Sequence, residues 1–315
     1  MKVEYVFASI ITLEANRDQQ MSIISTIKPI YWATRSAYRL ATSGLRLLPD
    51  FIIIGTQRGG TTSLYYYLVE YAGVAPAQHK EVHFFDDHFQ QGMRWYRAQF
   101  PTAAQKYLTE HAGSRRFLTG ESSPYYLFDP RIPARVRAAL PDIKLIVLLR
   151  NPVDRAYSHH WLSTHEGHET LPFEQAIRKE EERLRGEQEK MLADDHYESY
   201  NHRHYAYLSR GIYADQLQNW LQVFPAEQFL ILKSEDLYQN PVSITKQVLE
   251  FLGLPPSILN TTREFKQYRE PMPKGYKNSA KPPKMNPELR KELAAYFRPH
   301  NQRLYTLLGR DFAWE

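Results

Sequence analysis

Residues 51–63 read FIIIGTQRGGTTS, an apolar run followed by a bend of glycines, hydroxyl residues and one arginine. Gly55 and Gly60 have the spacing of the nucleotide-binding loop G-x-x-x-x-G-K-[ST], and Thr62 stands where its last hydroxyl belongs. Thr61 replaces the lysine of that pattern. A glycine-rich loop at the start of a helix presents backbone N–H groups to an anion even without the lysine. The stretch therefore predicts an anion site.

A second cationic position follows the apolar run KLIVLL at 144–149. That run leads into Arg150, where a kinase needs a carboxylate to hold magnesium. Asn151 and Pro152 have the residue types of a helix N-cap and of the first helical position. We expect Arg150 and the hydroxyl of Ser158 to bind a second phosphate; a surface ion pair is an equally open interpretation of Arg150.

Two anion sites without a metal-binding carboxylate favour a nucleotide that has phosphate at both ends and carries a group of low charge. A sulfuryl group fits because it has one negative charge, so fixed cations and N–H donors can stabilise its transfer. Arg58 is the candidate cation within the loop. We therefore expect no metal.

An acceptor hydroxyl also needs a base. The segment KEVHFFDDHF at 80–89 supplies Glu81, His83, Asp86, Asp87 and His88. If residues 81–85 are extended, Glu81, His83 and Phe85 share one face, so geometry does not choose between the first two as the base. The ordinary pKa of histidine favours His83, and a purely structural role for the cluster is also open.

The elements that position these residues alternate along the chain. The run at 51–55 predicts a strand buried on both faces, and residues 61–73 predict a helix. Further strands are predicted at 116–121, 144–149 and 228–233, with helical stretches between them. This order predicts an α/β fold with a P-loop-like parallel sheet flanked by helices, and ligands of such sheets bind beyond the carboxyl ends of the strands.

Composition narrows the classes of protein. The chain has 315 residues, 43% of them hydrophobic, which is sufficient for a large α/β core. Its net charge of +5 favours anionic partners. It contains no cysteine, which excludes thiol nucleophiles, cysteine zinc sites and disulfides and suits a reducing compartment.

Residues 1–50 are predicted to be a helical segment that precedes the catalytic domain at 51–315. The apolar stretch at 6–13 is shorter than the roughly 20 residues of a membrane span. Residues 21–48 are largely apolar, and their charged residues are Lys28, Arg35, Arg39 and Arg46. This pattern fits an amphipathic helix on anionic lipid or, alternatively, a helix packed on its own domain.

A charged stretch interrupts the core elements. Residues 172–195 predict a solvated helix. Residues 196–213 are rich in histidine and tyrosine, so they either line a polar cleft or form a loop over the core.

Together these motifs resemble, in content and order, the 3′-phosphoadenosine-5′-phosphosulfate (PAPS) dependent sulfotransferases. The similarity is greatest to the heparan sulfate glucosaminyl branch and its bacterial relatives, and it covers roughly residues 51–315. The motifs are IIIGTQRGGTTSL, EVHFFD, LIVLLRNPVDRAYSHH and the C-terminal KGYKNSAKPPKMNPELRKELAAYFRPHNQRLYTLLGRDFAW. The resemblance implies a single sulfotransferase domain that uses PAPS as the sulfuryl donor.

The resemblance also implies roles for individual residues. The 5′ end of the cofactor would lie among Arg58, Gly59, Gly60, Thr61, Thr62 and Ser63. Arg150 and Ser158 would bind the 3′-phosphate, while Lys274 and Gly275 would close over the nucleotide. Glu81 matches the base of the family, and His83 then has a supporting catalytic role.

This chain departs from the family at three points. Arg58 stands where the family usually has lysine, and Ser122 stands where the glucosaminyl branch commonly has another lysine. The cysteine pair of the animal enzymes is missing, which fits a reducing cytoplasm rather than the Golgi lumen. We therefore expect a cytoplasmic protein.

The resulting hypothesis is sulfuryl transfer from PAPS to a hydroxyl or amine of a small molecule or glycan, with carbohydrate preferred and no nucleic acid partner. A basic stretch between Arg263 and Lys284 could attract the anionic cofactor or acceptor. Two other classes stay open from the residues: a kinase with an atypical loop, and a non-catalytic module that binds sulfated glycans at a membrane surface.

Overall fold

One parallel sheet forms the centre of the protein. The computed structural model describes residues 17–113, 116–260, 265 and 284–314. The strands are β1 (Phe51–Gly55), β2 (Ala75–Pro76), β3 (Thr119–Ser122), β4 (Lys144–Leu149) and β5 (Phe229–Lys233). Their order in the sheet is β2-β3-β1-β4-β5, and every neighbouring pair is parallel. The predicted α/β class is therefore confirmed.

Helices flank this sheet on both faces. Those before β4 are α1 (Arg17–Ala41), α2 (Thr61–Tyr71), α3 (Gly92–Ala98), α4 (Ala103–Gly113) and α5 (Ile132–Ala139). Between β4 and β5 lie α6 (Pro152–His165), α7 (Phe173–Arg178), α8 (Glu180–Leu184), α9 (Glu187–Ala193), α10 (Tyr200–His204) and α11 (Tyr213–Leu221). After β5 come α12 (Ser234–Gln239), α13 (Pro241–Leu252) and α14 (Pro287–Leu308).

The two central strands are buried on both faces. Ile52 of β1 and Leu145 of β4 belong to one apolar cluster, and Ile53 and Ile146 belong to another on the opposite side of the sheet. Each of these four side chains is 0% exposed. Continuous apolar runs produce this arrangement because alternate residues of a strand point to opposite faces.

Strand and helix positions from the sequence were confirmed with small shifts at the ends. The strands predicted at 51–55 and 144–149 have those bounds, and the one predicted at 228–233 begins at Phe229. The strand predicted at 116–121 pairs only from Thr119, and the helix predicted at 61–73 ends at Tyr71. Helix and strand ends depend on hydrogen bonding that residue types determine only loosely.

The prediction of one solvated helix at 172–195 was wrong. The segment forms the three short helices α7, α8 and α9, and Gly186 with φ 73° separates the last two. Glu180 is 4% exposed and accepts hydrogen bonds from the backbone N–H groups of Leu208 and Ser209. Some carboxylates of the charged stretch are therefore buried, and they accept hydrogen bonds from the segment that follows instead of facing solvent.

Helix α1 lies against the domain through part of its surface. The Arg39 guanidinium donates to the carbonyl oxygens of Ala98 at 2.6 Å and Phe100 at 3.0 Å. Several apolar side chains of this helix are exposed to solvent, including Ile30 at 62% and Tyr38 at 62%. Among the described residues, the helices lack the combination of length and apolarity that crossing a membrane requires.

Candidate active site

The glycine-rich bend joins β1 to α2 and is held from several directions. The Thr56 N–H donates to the Leu148 carbonyl oxygen of the neighbouring strand β4 at 2.8 Å. The Ser234 hydroxyl at the start of α12 donates to the Gly59 carbonyl oxygen at 2.6 Å. The bend is therefore fixed at the carboxyl end of the sheet, as the order of elements predicted.

Glycine is needed at two positions of this bend. A Cβ on Gly59 would lie 2.8 Å from the Leu148 carbonyl oxygen. Gly60 has φ 92°, and a Cβ there would lie 3.1 Å from the Tyr238 ring. Arg58 also has a left-handed φ of 70°, a conformation that costs a non-glycine residue energy. The tight bend leads directly into the first turn of α2, where the N–H groups of the helix attract an anion.

The first turn of α2 supplies the hydroxyl groups that the sequence indicated. Thr61 and Ser63 are each 4% exposed, and Thr62 is partly exposed. A helix N-terminus lined by hydroxyls, with arginine beside it, is suited to a sulfate or phosphate ester. This donor set fits the phosphosulfate end of PAPS.

Arg58 connects the two predicted anion sites. Its Nε donates to Ser158 Oγ at 2.9 Å, and the Arg150 guanidinium donates to the Arg58 carbonyl oxygen at 3.0 Å. Asn151 caps α6 by accepting from the N–H groups of Val153 and Asp154, as predicted. The structure thus brings Arg58, Arg150 and Ser158 together from two separate parts of the chain.

Lys80 lies between the loop and the base candidate. Its Nζ donates to Thr62 Oγ1 at 2.7 Å and to Glu81 Oε1 at 2.7 Å. An ammonium group therefore reaches the loop from outside it, although Thr61 occupies the usual lysine position. Sequence reasoning missed Lys80 even though it directly precedes Glu81 in the segment KEVHFF.

Glu81, His83 and Asp86 form a chain of hydrogen bonds. His83 Nε2 lies 3.0 Å from Glu81 Oε2, and His83 Nδ1 lies 2.7 Å from Asp86 Oδ2. Burial disfavours the imidazolium, but the bonds to Asp86 and Glu81 outweigh it and raise the pKa of His83 to about 10. Burial likewise opposes ionisation of Glu81, yet His83 and Lys80 lower its pKa to about 2. At neutral pH the imidazolium lies between two carboxylates.

The backbone of this segment is not the extended strand that the sequence interpretation assumed. A turn begins at Phe84, and His83 has φ 51°. Phe85 is 0% exposed in the core, so it does not share a face with Glu81 and His83. Glu81 and His83 nevertheless lie within hydrogen-bonding distance of each other, at 3.0 Å.

Two hydroxyl groups hold the backbone of the base segment, which we define as residues 81–85. Ser123 Oγ accepts from the N–H groups of Val82 at 3.1 Å and His83 at 3.2 Å. The Tyr126 hydroxyl accepts from the N–H groups of Phe84 at 2.7 Å and Phe85 at 3.2 Å. Four consecutive N–H groups are thus bonded by side chains that follow β3.

Ser123 is itself oriented by a buried acid. Its hydroxyl donates to Glu121 Oε2 at 2.7 Å, and the Tyr96 hydroxyl donates to Glu121 Oε1 at 2.6 Å. Glu121 is 0% exposed, and burial raises its pKa to about 7 in spite of these two bonds. A network from Tyr96 to the base segment therefore positions Glu81.

A cavity of about 150 Å³ opens beside the base candidate. Glu81, His83, Gln57 and Tyr125 line it, together with His159 of α6, Glu166 directly after that helix, and Arg203 and His204 of α10. The segment 196–213 thus contributes to a polar cleft, which was one of its two interpretations. The sequence interpretation gave no role to Gln57, although it lies in the glycine-rich bend, or to Glu166.

The possible metal-ligand atoms of His83, Asp86 and Asp87 lie within 4.8 Å of one another, a spacing that a metal site could have. His83 bonds to Asp86, and the Arg203 guanidinium pairs with both carboxylates. A metal ion would have to displace these two cations. The group is therefore better described as an ion-pair network.

Two predicted cofactor residues, Lys274 and Gly275, lie outside the described residues, as does most of the basic stretch between 263 and 284.

Comparison with known proteins identifies relatives of this chain. The family model described as "Sulfotransferase domain" matches residues 48–302. Heparan sulfate glucosamine 3-O-sulfotransferase 3A1 of Mus musculus is 31% identical over 288 residues, which cover 88% of this chain and 67% of that protein. Membrane-associated sulfotransferase kil1 of Dictyostelium discoideum is 28% identical, with 86% of this chain and 67% of that protein covered.

A solved structure agrees with these sequence matches. The crystal structure of a sulfotransferase from Alicyclobacillus acidocaldarius has a TM-score of 0.61 and 32% identity to this chain. The match covers 85% of this chain and 99% of that structure. The sheet, the anion-binding bend and these relatives agree, and the chain belongs to the sulfotransferase domain family.

Proposed function

We propose that this sulfotransferase moves the sulfuryl group of PAPS to a hydroxyl or amine acceptor, with carbohydrate as the preferred class. Lys80 carries the proposal, because its Nζ lies 2.7 Å from both Thr62 Oγ1 of the anion loop and Glu81 Oε1 of the base candidate. A sulfuryl group bound at the loop is thereby within reach of the base.

In the proposed reaction Glu81 takes the proton of the acceptor hydroxyl. The acceptor oxygen bonds to sulfur as the bond from sulfur to the 5′-phosphate oxygen breaks, leaving adenosine 3′,5′-bisphosphate. Lys80 and Arg58 stabilise the charge that develops on the transferred group and the leaving phosphate. Negative charge brought by the cofactor also raises the pKa of Glu81, which makes it a better base.

The other end of the nucleotide is assigned to Arg150 and Ser158. Arg150 supplies a permanent positive charge, and the Ser158 hydroxyl can donate to a phosphate oxygen while accepting from Arg58. The chain belongs to a family of sulfuryl-transferring enzymes, and this argues against the two alternative functions, a kinase and a non-catalytic module that binds sulfated glycans.

Glu81→Gln tests the assignment of the base. We expect kcat to fall by about 10² to 10⁴, the usual contribution of general base catalysis, while binding of adenosine 3′,5′-bisphosphate is almost unchanged. Product release and nucleotide binding by calorimetry are the measurements.

Glu227→Gln is the matched control, since Glu227 is exposed and lies in the 3-10 turn just before β5, at the opposite end of the strand from the carboxyl edge. Loss of nucleotide binding in Glu81→Gln would indicate a structural role instead. No nucleotide binding and no product release by the wild-type protein, over a broad acceptor panel, would contradict the proposed function.

We further propose a cytoplasmic location with peripheral membrane contact through residues 21–48. The exposed Ile30 and Tyr38 on α1 and the nearby Arg35 support the contact, because apolar and basic groups together bind anionic lipid surfaces. The Dictyostelium relative is named as membrane-associated.

A further inference from the structure

Helix α12 is held against both of the anion sites that the sequence predicted. At its first residue, the Ser234 hydroxyl donates to the Gly59 carbonyl oxygen of the glycine-rich bend at 2.6 Å. At its second residue, Glu235 Oε1 accepts from the N–H of Asn151, which directly follows Arg150, at 2.8 Å. One short helix therefore contacts the loop after β1 and the residues after β4.

Further contacts fix the rotation of α12 about its axis. Leu237 is 1% exposed and belongs to the apolar cluster on one face of the sheet. Glu235 Oε2 accepts from the Trp314 indole N–H at 3.3 Å. Residues four apart lie on the same side of a helix, so Tyr238 stands on the side of Ser234, which is the side of the bend.

The Tyr238 ring lies beside the bend. A Cβ on Gly60 would be 3.1 Å from the ring carbon Cε1 and 3.1 Å from the hydroxyl oxygen of Tyr238. The edge of the ring that carries the hydroxyl is therefore next to this glycine. Gly60 is the N-cap of α2, and the first N–H groups of that helix are the proposed site of the 5′ end of the nucleotide.

The Tyr238 hydroxyl is available as a hydrogen-bond donor at neutral pH. Burial raises the pKa of this tyrosine above its ordinary value, although the charges of Arg150 and Arg58 act in the opposite direction. The hydroxyl therefore keeps its proton and lies near both cations. Among the described residues, no group accepts a hydrogen bond from it. Tyr238 is 39% exposed, so a ligand can reach the ring.

We propose that Tyr238 is a further nucleotide-binding residue, whose hydroxyl donates a hydrogen bond to the 5′-phosphate oxygens of PAPS and of adenosine 3′,5′-bisphosphate. The inference rests on the proposed transfer from PAPS. The 5′ end is the expected acceptor because the ring lies beside Gly60, within the loop proposed for that end. A phenol beside two guanidinium groups complements a phosphate, since its proton adds a directed bond to their charge.

Tyr238→Phe tests the proposal, because it removes the hydroxyl and keeps the ring beside Gly60. We expect affinity for adenosine 3′,5′-bisphosphate to fall by about tenfold, since hydrogen bonds to charged groups are among the stronger ones. The melting temperature without nucleotide should stay close to that of the wild type. Calorimetry and thermal melting measure the two quantities. Tyr107→Phe is the matched control, since Tyr107 is 60% exposed on α4, and it should leave both unchanged.

Two monophosphates locate the contact. The loss of affinity in Tyr238→Phe should persist for adenosine 5′-monophosphate and disappear for adenosine 3′-monophosphate. Wild-type affinity of Tyr238→Phe for the bisphosphate would overturn the inference, and so would an equal loss for both monophosphates or a loss for the 3′-monophosphate alone. In each of these outcomes the wild-type protein still binds nucleotide, so the proposed function stands. If the wild-type protein bound none of the three nucleotides, the proposed function would fail together with this inference.

Discussion

Glu81, His83 and Asp86 show how neighbouring charges determine ionisation at a single site. A histidine between two carboxylates gains a proton, and the carboxylate beside it loses one more readily. The ordinary pKa of histidine made His83 the more natural base from the sequence. In the structure His83 is protonated and Glu81 is ionised. The imidazolium has no free lone pair to accept a proton, so the carboxylate is the better candidate for the base.

This pairing predicts a pH dependence of stability. The pKa of His83 rises from 6.5 to about 10 on folding, so its stabilisation is complete below about pH 6.5 and is lost as the pH rises toward 10. The pKa of Glu81 falls from 4.5 to about 2, so its stabilisation is present above about pH 4.5 and is lost below it. We expect the melting temperature to fall by several degrees between pH 6.5 and 10.

His83→Gln should flatten that alkaline decline in a thermal melting series. His196→Gln is the matched control, since His196 is exposed, and it should keep the wild-type slope. Equal slopes in the wild type and His83→Gln would show that the imidazolium contributes nothing to folding.

Arg58 and Lys80 explain the unusual loop at the residue scale. The bend lacks lysine at its usual position, yet Lys80 brings an ammonium to Thr62 from the next segment. Arg58, within the loop, donates to Ser158. Lys80 therefore supplies a positive charge at the loop, and Arg58 supplies a directional hydrogen bond between the two motifs.

At the scale of elements, the base segment depends on its hydrogen bonds to the residues after β3. Its N–H groups at 82–85 are bonded by Ser123 and Tyr126 instead of by a neighbouring strand. Such bonds can hold a conformation with positive φ, as His83 has, because the surrounding groups over-determine it. The position of the base therefore follows from β3 as much as from its own segment.

Ser123→Ala tests this dependence. It leaves the N–H groups of Val82 and His83 and one oxygen of Glu121 without their partner, which costs about 1–3 kcal/mol of unfolding free energy. We expect kcat to fall while nucleotide affinity is retained, because the loop of β1 is untouched. Denaturant unfolding and steady-state kinetics measure the two effects.

Thr245→Val is a suitable control for Ser123→Ala. Thr245 is a buried hydroxyl residue of α13 that donates to the Pro241 carbonyl oxygen. The control should lose stability without a change in kcat. A kcat for Ser123→Ala as high as that of the control would show that the network only stabilises the fold.

The sequence predicted elements well where residue pattern alone decides them. β1 and β4 are continuous apolar runs, and Asn151 followed by Pro152 specifies a helix start. The turn at 84–88 and the division of 172–195 into three helices were not predictable in this way. Both depend on partners more than twenty residues away, such as Tyr126 for Phe84 and Leu208 for Glu180.

At the scale of the whole molecule, α1 combines contact with the domain and an exposed apolar surface. Arg39 attaches the helix to the end of α3, and Trp32 is 40% exposed with Arg35 5.1 Å from its ring centre. We expect the full chain to bind phosphatidylglycerol vesicles more strongly than phosphatidylcholine vesicles in a flotation assay. Added salt should weaken the binding.

Trp32→Ser should reduce vesicle binding, because tryptophan at a membrane interface contributes a large apolar area. Tyr107→Ser is the matched control, since Tyr107 is 60% exposed on α4. Equal binding of both variants would mean that α1 does not face lipid.

The contact between Arg58 and Ser158 has a further consequence for the whole site. It joins the loop after β1 to the helix after β4, so in the proposed complex each end of the nucleotide touches a residue bonded to the other end's site. Binding energies at the two ends then need not be additive, and thermodynamic linkage makes any such coupling reciprocal. Removing the 3′-phosphate from the nucleotide would then also weaken binding of its 5′ end, so the loss of affinity would exceed the contribution of the 3′-phosphate contacts alone. The enzyme would in this way select donors that carry both phosphate groups.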